Sequence, residues 1–160
     1  LIDLEPYRGA VVRRLTHDDV IELFEVREAI ETHAAALAAE RIDADDNRAR
    51  MVAAIEAMRS YASGDAQGYL DENERFHEAI MAIAANRLLA DIAVQLQTHA
   101  FRLQFRQLLN PEATAVSIAD HVAIAEAILA GDVDGSRTAM RCHIRRARQL
   151  TVTLPTEAFG

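Results

Sequence analysis

Leu70–Ile80 reads LDENERFHEAI, and this stretch decides how the rest of the chain is interpreted. It reads as helix and carries Asn73 and His77 four residues apart. At ~3.6 residues per turn the two side chains share a face, the simplest way for one helix to offer two groups to one metal. One such pair is not a site, so the test is whether other segments send matching ligands.

Composition narrows the setting. The 160 residues suit one domain, or one domain with an appendage, and are enough for a real core. Alanine is abundant, aromatic residues make up 5%, and six Gly and three Pro are few, which favours helix packed closely on helix over a sheet. A net charge of −8 argues against a nucleic-acid surface on these residues. The lone Cys142 has no internal disulfide partner, so a reducing cytoplasm is the expected compartment. No apolar run approaches membrane-spanning length and no signal peptide is visible. The chain opens on Leu1 rather than Met, and further sequence is expected upstream.

Outward from the quoted stretch, the reading is helical on both sides. Thr16 and Asp19 form a capping pattern ahead of a first helix over about 18–40, with Val20, Leu23, Phe24, Ile30 and Leu37 as its apolar positions. A second helix is expected from Asp43, where Asp43, Asp45 and Asp46 would meet the positive helix end, to near Ser63-Gly64, with Met51, Ile55 and Met58 inward. The third starts at Asp65 and ends near Asn86, a residue that tolerates a left-handed C-terminal cap. A fourth spans Leu88 to about Leu109, a fifth about Ser117 to Ala130 before Gly131, and a sixth about Asp132 to Val152 before Pro155. The expected fold is all-α, an antiparallel bundle of about six helices. Residues 1–15 differ: short apolar runs flank Pro6-Tyr7-Arg8-Gly9, which reads either as a β-hairpin or as a frayed arm.

His77, His121 and His143 fall on the third, fifth and sixth of these helices. Three imidazoles converging in a bundle core, with a side chain one turn before one of them, suit a divalent transition metal. The plainer alternative is histidines packed in a core or solvated, which is how His17 and His33 are read.

Asn73-x-x-Phe76-His77-x-x-Ile80, Asn86-x-Leu88-Leu89, His121-x-x-Ile124-x-x-Ala127-Ile128-x-x-Gly131-Asp132 and Ala139-Met140-x-x-His143 together resemble the FCD domain, the C-terminal effector domain of FadR-type GntR transcription regulators. Phe24-Glu25-Val26-Arg27-x-x-Ile30-Glu31 is similar to that family's first helix. The resemblance runs from about Thr16 to Leu150, and a count of six helices favours the shorter, VanR-like branch. It implies residues 1–15 as the end of a winged-helix wing and linker, 16–154 as the effector domain and 155–160 as a tail.

The resemblance also implies roles. Asn73, His77, His121 and His143 become the metal ligands, zinc first and nickel, iron or manganese as alternatives. Asn stands where Asp is commoner; Glu74 is a rival carboxylate on nearly the same face. Four neutral ligands would leave the metal's charge unbalanced, which suits a small carboxylate effector. Arg27 and Arg102 are the cationic candidates to grip it, unless Glu28 and Glu31 tie up Arg27 and unless the stripe Gln95-His99-Arg102-Arg106 is a solvated face or subunit interface. Arg8, near a wing tip, would approach DNA of an operator bound by an upstream winged helix in a homodimer. Arg141, Arg145, Arg146 and Arg148 lack interleaved aromatics and read as structural partners of acidic residues. The implied function is ligand-responsive DNA binding, not catalysis. A three-His hydrolase lacks the H-E-x-x-H motif here, and a metal-free helical interaction module is the remaining alternative.

Overall fold

The computed structural model describes residues 2–5, 9–12, 14–60, 66–96 and 111–160. Two short strands, β1 (Ile2–Glu5) and β2 (Gly9–Val12), pair antiparallel with Ile2 opposite Val12 and Glu5 opposite Gly9. Six α-helices follow among the described residues: α1 (His17–Glu40), α2 (Asn47–Ser60), α3 (Ala66–Ala84), α4 (Arg87–Leu96), α5 (Pro111–Leu129) and α6 (Val133–Val152). A 3₁₀ turn, Thr156–Ala158, precedes the last residues.

α1 is the axis of the bundle. Its start is fixed locally: Thr16 Oγ1 accepts from Asp19 N at 3.1 Å, and Asp19 Oδ2 accepts from Thr16 N at 2.8 Å. This reciprocal capping satisfies two backbone donors that a bare helix end leaves open. Further along, Ala34, Ala35, Ala36, Ala38 and Ala39 are all buried, because α6, α3, α5 and α4 each pack against this helix. Small side chains permit that approach from several directions. Ser136 Oγ on α6 donates to Ala35 O at 3.2 Å, which pins α6 to the alanine run.

Three helix ends differ from the sequence expectation, each for a local reason. Residues 41–46 form turns rather than the first turn of α2, with Asp45 at φ 47° and Asn47 Nδ2 donating to Arg41 O at 2.8 Å. Asp43 and Asp46 instead face Arg48 and Arg50 at 2.5 and 3.6 Å. Ala85, at φ 47°, takes the left-handed position after α3, and Asn86 caps the next helix through Oδ1, which accepts from Leu89 N at 3.1 Å. α5 begins earlier, at Pro111, whose missing N–H costs nothing in a first helical turn. It ends as expected: Gly131, at φ 68°, donates to Ile128 O and Asp132 N donates to Ala127 O, and only glycine takes that conformation without strain. α4 is described as far as Leu96, so the expected continuation to Leu109 lies outside the described residues.

The C-terminal residues are docked. Phe159 is buried with its ring edge-on to His17 at 5.2 Å, and Gly160 N donates to Leu15 O at 2.9 Å. His17 therefore packs against the tail, while His33 is exposed.

Candidate metal centre

Each histidine occupies a core position set by helical period. α3 buries Tyr69, Phe76, His77, Ile80 and Ile83; α5 buries Thr114, His121, Ile124 and Ile128; α6 buries Ser136, Met140, His143 and Ile144. Burial of these apolar stripes against α1 brings the imidazoles to one point. His77, His121 and His143 are 3%, 0% and 5% exposed, and one donor nitrogen from each lies within 4.8 Å of the others. Ring centroids are 4.4 Å apart for His121 and His143, and 5.4 Å for His77 with either partner. Phe76 closes one side, 4.6 Å from the His121 ring.

Two carboxylates that no ligand motif singled out complete the cluster. Glu31 on α1 is buried, with Oε2 2.7 Å from His77 Nδ1 and Oε1 accepting from Arg27 Nε at 2.7 Å. Burial alone would raise the Glu31 pKa, but Arg27 and His77 outweigh it and hold the carboxyl well below the usual range. Asp120 on α5 lies 3.7 Å from His143 Nδ1 and 3.1 Å from Arg146 Nε. Each carboxylate thus has its own arginine, and the protein charge around the histidines is close to balanced.

The polar atoms satisfy one another only in part. Both ring nitrogens of His77 and of His121 are buried without an aligned hydrogen bond, as are Glu31 Oε2 and Asp120 Oδ2. A packed core histidine normally has a partner, since leaving such a group unpaired costs ~1–3 kcal/mol. Nitrogens on a shared zinc at ~2.0–2.1 Å sit roughly 3.3 Å apart, so the widest donor pair would draw in by at most ~1.5 Å. The donor set fits a borderline divalent ion, because imidazole nitrogens with carboxylates behind them are what such ions take.

The rest of the expected set is placed as follows. Asn73 is half-buried one turn before His77 on α3, and Glu74 is half-buried beside it. Arg27 lies against Glu31 and over the Phe24 ring at 5.1 Å. Glu28 does not join it; that carboxylate takes Arg145 at 2.9 and 2.8 Å and Arg141 at 3.6 Å. With Arg146 on Asp120 and Arg148 3.6 Å from Glu25, the basic run on α6 is paired to α1 and α5. Arg8 and Arg102, and His99 and Arg106 of the expected stripe, lie outside the described residues. Glu31 was within reach of sequence reasoning, four residues after Arg27, but nothing local joins it to His77 or Asp120 to His143.

Burial gives the metal-free domain a pH dependence. His121 is held well below the usual 6.5, first by desolvation and then by the His143 and His77 rings. His143 is lowered mainly by desolvation, with Asp120 pulling the other way. Below pH ~6.5 the unfolded chain binds more protons on both groups than the folded chain does, so stability falls as pH drops, by at most ~1.4 kcal/mol per pH unit for each group. Thermal melts of metal-free protein between pH 7.5 and 5 check this; a melting point that holds or rises on acidification contradicts it.

The model of the FCD domain matches residues 22–146. The metal-free FCD domain of TM0439 superposes with a TM-score of 0.70 at 18% identity, over 86% of this chain and 94% of that one. A protein from Rhodococcus sp. RHA1 described as a GntR transcriptional regulator gives 0.73 at 20% identity over 97% and 74%. E. coli McbR/YncC gives 0.72 at 20% identity over 91% and 70%. At these identities the likeness is one of fold. Comparison with curated proteins finds no match.

Proposed function

The chain belongs to the FCD domain family of GntR-type transcription regulators, and from that premise we propose that its buried histidine cluster is a divalent-metal centre where a small organic acid binds and alters operator recognition. FCD domains belong to transcriptional regulators and not to enzymes, which disposes of the hydrolase alternative. The observation that carries the metal reading is the convergence of three buried imidazoles with donor nitrogens within 4.8 Å of one another, where His77 Nε2 and both nitrogens of His121 have no hydrogen-bond partner among the described residues.

In this reading His77, His121 and His143 donate nitrogen, and Asn73 donates its amide oxygen from one turn earlier. When bound, a divalent ion would supply a Lewis-acid position for carboxylate oxygens. The nearby carboxylates are already neutralised by Arg27 and Arg146, and Asn73 adds no charge, so the site favours an anionic ligand. Arg27, beside the cluster, and Arg102 are the cationic grips on the effector in this reading. Residues 1–12 are read as the end of a wing, with Arg8 toward DNA, in a cytoplasmic homodimer of the VanR-like type. Effector control requires that the acid bind two arrangements of the dimer with different affinity.

Metal analysis tests the centre directly: after exposure to zinc or nickel the domain should retain about one equivalent, and under about a tenth of one sinks the reading in favour of the metal-free interaction module. Asn73→Asp should tighten nickel binding by about tenfold, because a carboxylate adds charge to a neutral ligand set. Unchanged or weaker affinity in a nickel titration means that Asn73 is not a ligand.

A further inference from the structure

Glu31 touches the histidine cluster from a helix that carries none of its imidazoles. Its two oxygens have different obligations. Oε1 faces Arg27 Nε at 2.7 Å, and that nitrogen can only donate. Oε2 lies 2.7 Å from His77 Nδ1, a charge contact between two buried atoms although not an aligned hydrogen bond. A carboxylate oxygen and a bare ring nitrogen at that separation would bring two electron-rich atoms inside van der Waals contact with no proton between them. The contact is favourable only with a proton on Nδ1, and in neutral imidazole that leaves Nε2 as the donor. Arg27 holds the carboxylate in place and ionised, so the tautomer is dictated from α1.

We infer that Glu31 is a positioning residue that fixes His77 as its Nδ1–H tautomer, reserving Nε2 for the cluster, with Arg27 as the clamp on Glu31. The inference concerns ring protonation and stands on the Glu31 contacts; its consequence for metal affinity rests on the metal reading above.

Glu31→Gln separates the two. Arg27 Nε needs an acceptor, so it takes the amide oxygen and turns the NH₂ toward His77. Nδ1 must then accept, and the ring inverts to the Nε2–H tautomer. Long-range ¹H–¹⁵N spectra of the metal-free, ¹⁵N-labelled domain should show His77 as Nδ1–H in the native chain and as Nε2–H in Glu31→Gln. Adding Arg27→Met to Glu31→Gln frees the amide to turn its oxygen to His77 and should restore Nδ1–H. A nickel titration should show Glu31→Gln weakened by roughly 10–100-fold, with partial recovery in the double variant.

A native His77 already in the Nε2–H form, or a tautomer unchanged in a folded Glu31→Gln, overturns the inference even if nickel still binds. Should Glu31→Gln not fold, a double variant that keeps Nε2–H overturns it equally. Tautomer inversion in a domain that binds no nickel upholds the role of Glu31 and overturns the metal centre instead.

Discussion

His121→Ala is expected to abolish nickel or zinc binding, lowering affinity by at least ~100-fold. His121 is fully buried, and both its ring nitrogens lack partners, so it is the histidine with least reason to be polar unless it is a ligand. Its pKa is also held well below the ordinary value, by burial first, so the lone pair is available at neutral pH. In the native domain, metal at ~100 times its dissociation constant should add ~2.7 kcal/mol of stability. For a chain of this size that raises the melting point by about 5–10 °C. The variant should lose this rise. Its metal-free melting point should change far less, because deleting the ring removes packing on Phe76 and unpaired nitrogens together. Calorimetric titration and paired melts with and without metal check both statements. A variant that keeps the metal-induced rise would falsify the assignment of His121.

Phe76→Ala carries the largest expected loss of fold stability. The ring is fully buried, beside His77 at 5.8 Å and against His121 at 4.6 Å. Truncation removes the transfer energy of a large aromatic and leaves a cavity at the junction of α3 and α5, costing ~3–5 kcal/mol. Against a typical total of ~5–15 kcal/mol that is a large share, and the melting point should fall by roughly 10–15 °C. Metal affinity should fall less than in His121→Ala, since all three imidazoles remain. A loss of under about 1 kcal/mol in urea unfolding would show that Phe76 does not support this junction.

The parts of the fold written in neighbouring residues were legible. Thr16 and Asp19 close a box three residues wide, and Gly131 followed by Asp132 ends one helix and caps the next. Met51, Ile55 and Met58 all point inward, as spacings of four and three require. Boundaries failed where two local signals competed. The aspartates at 43–46 suit a helix N-terminus, but Asn47 bonds back to Arg41 O and holds the segment as turns. Asn86 suits a left-handed cap, yet as an N-cap for α4 it satisfies a backbone donor, and Ala85 takes the strained position.

The sequence alone placed the three histidines on three separate helices and left open whether they face the core or solvent; the structure turns all three inward. Fold class followed from the helical period, and the family from motif order. Tertiary structure decided what surrounds them. Glu31 meets His77 across 46 positions and Asp120 meets His143 across 23, and such contacts follow from how α1, α3, α5 and α6 cross. Crossing is set by the summed packing of whole stripes, such as the alanines of α1 beneath Ser136, and no local pattern encodes it. Arg27 shows the difference most clearly: the sequence offered it as a grip for an acid or as a partner of Glu28 or Glu31, and packing puts it on Glu31, the carboxylate behind His77.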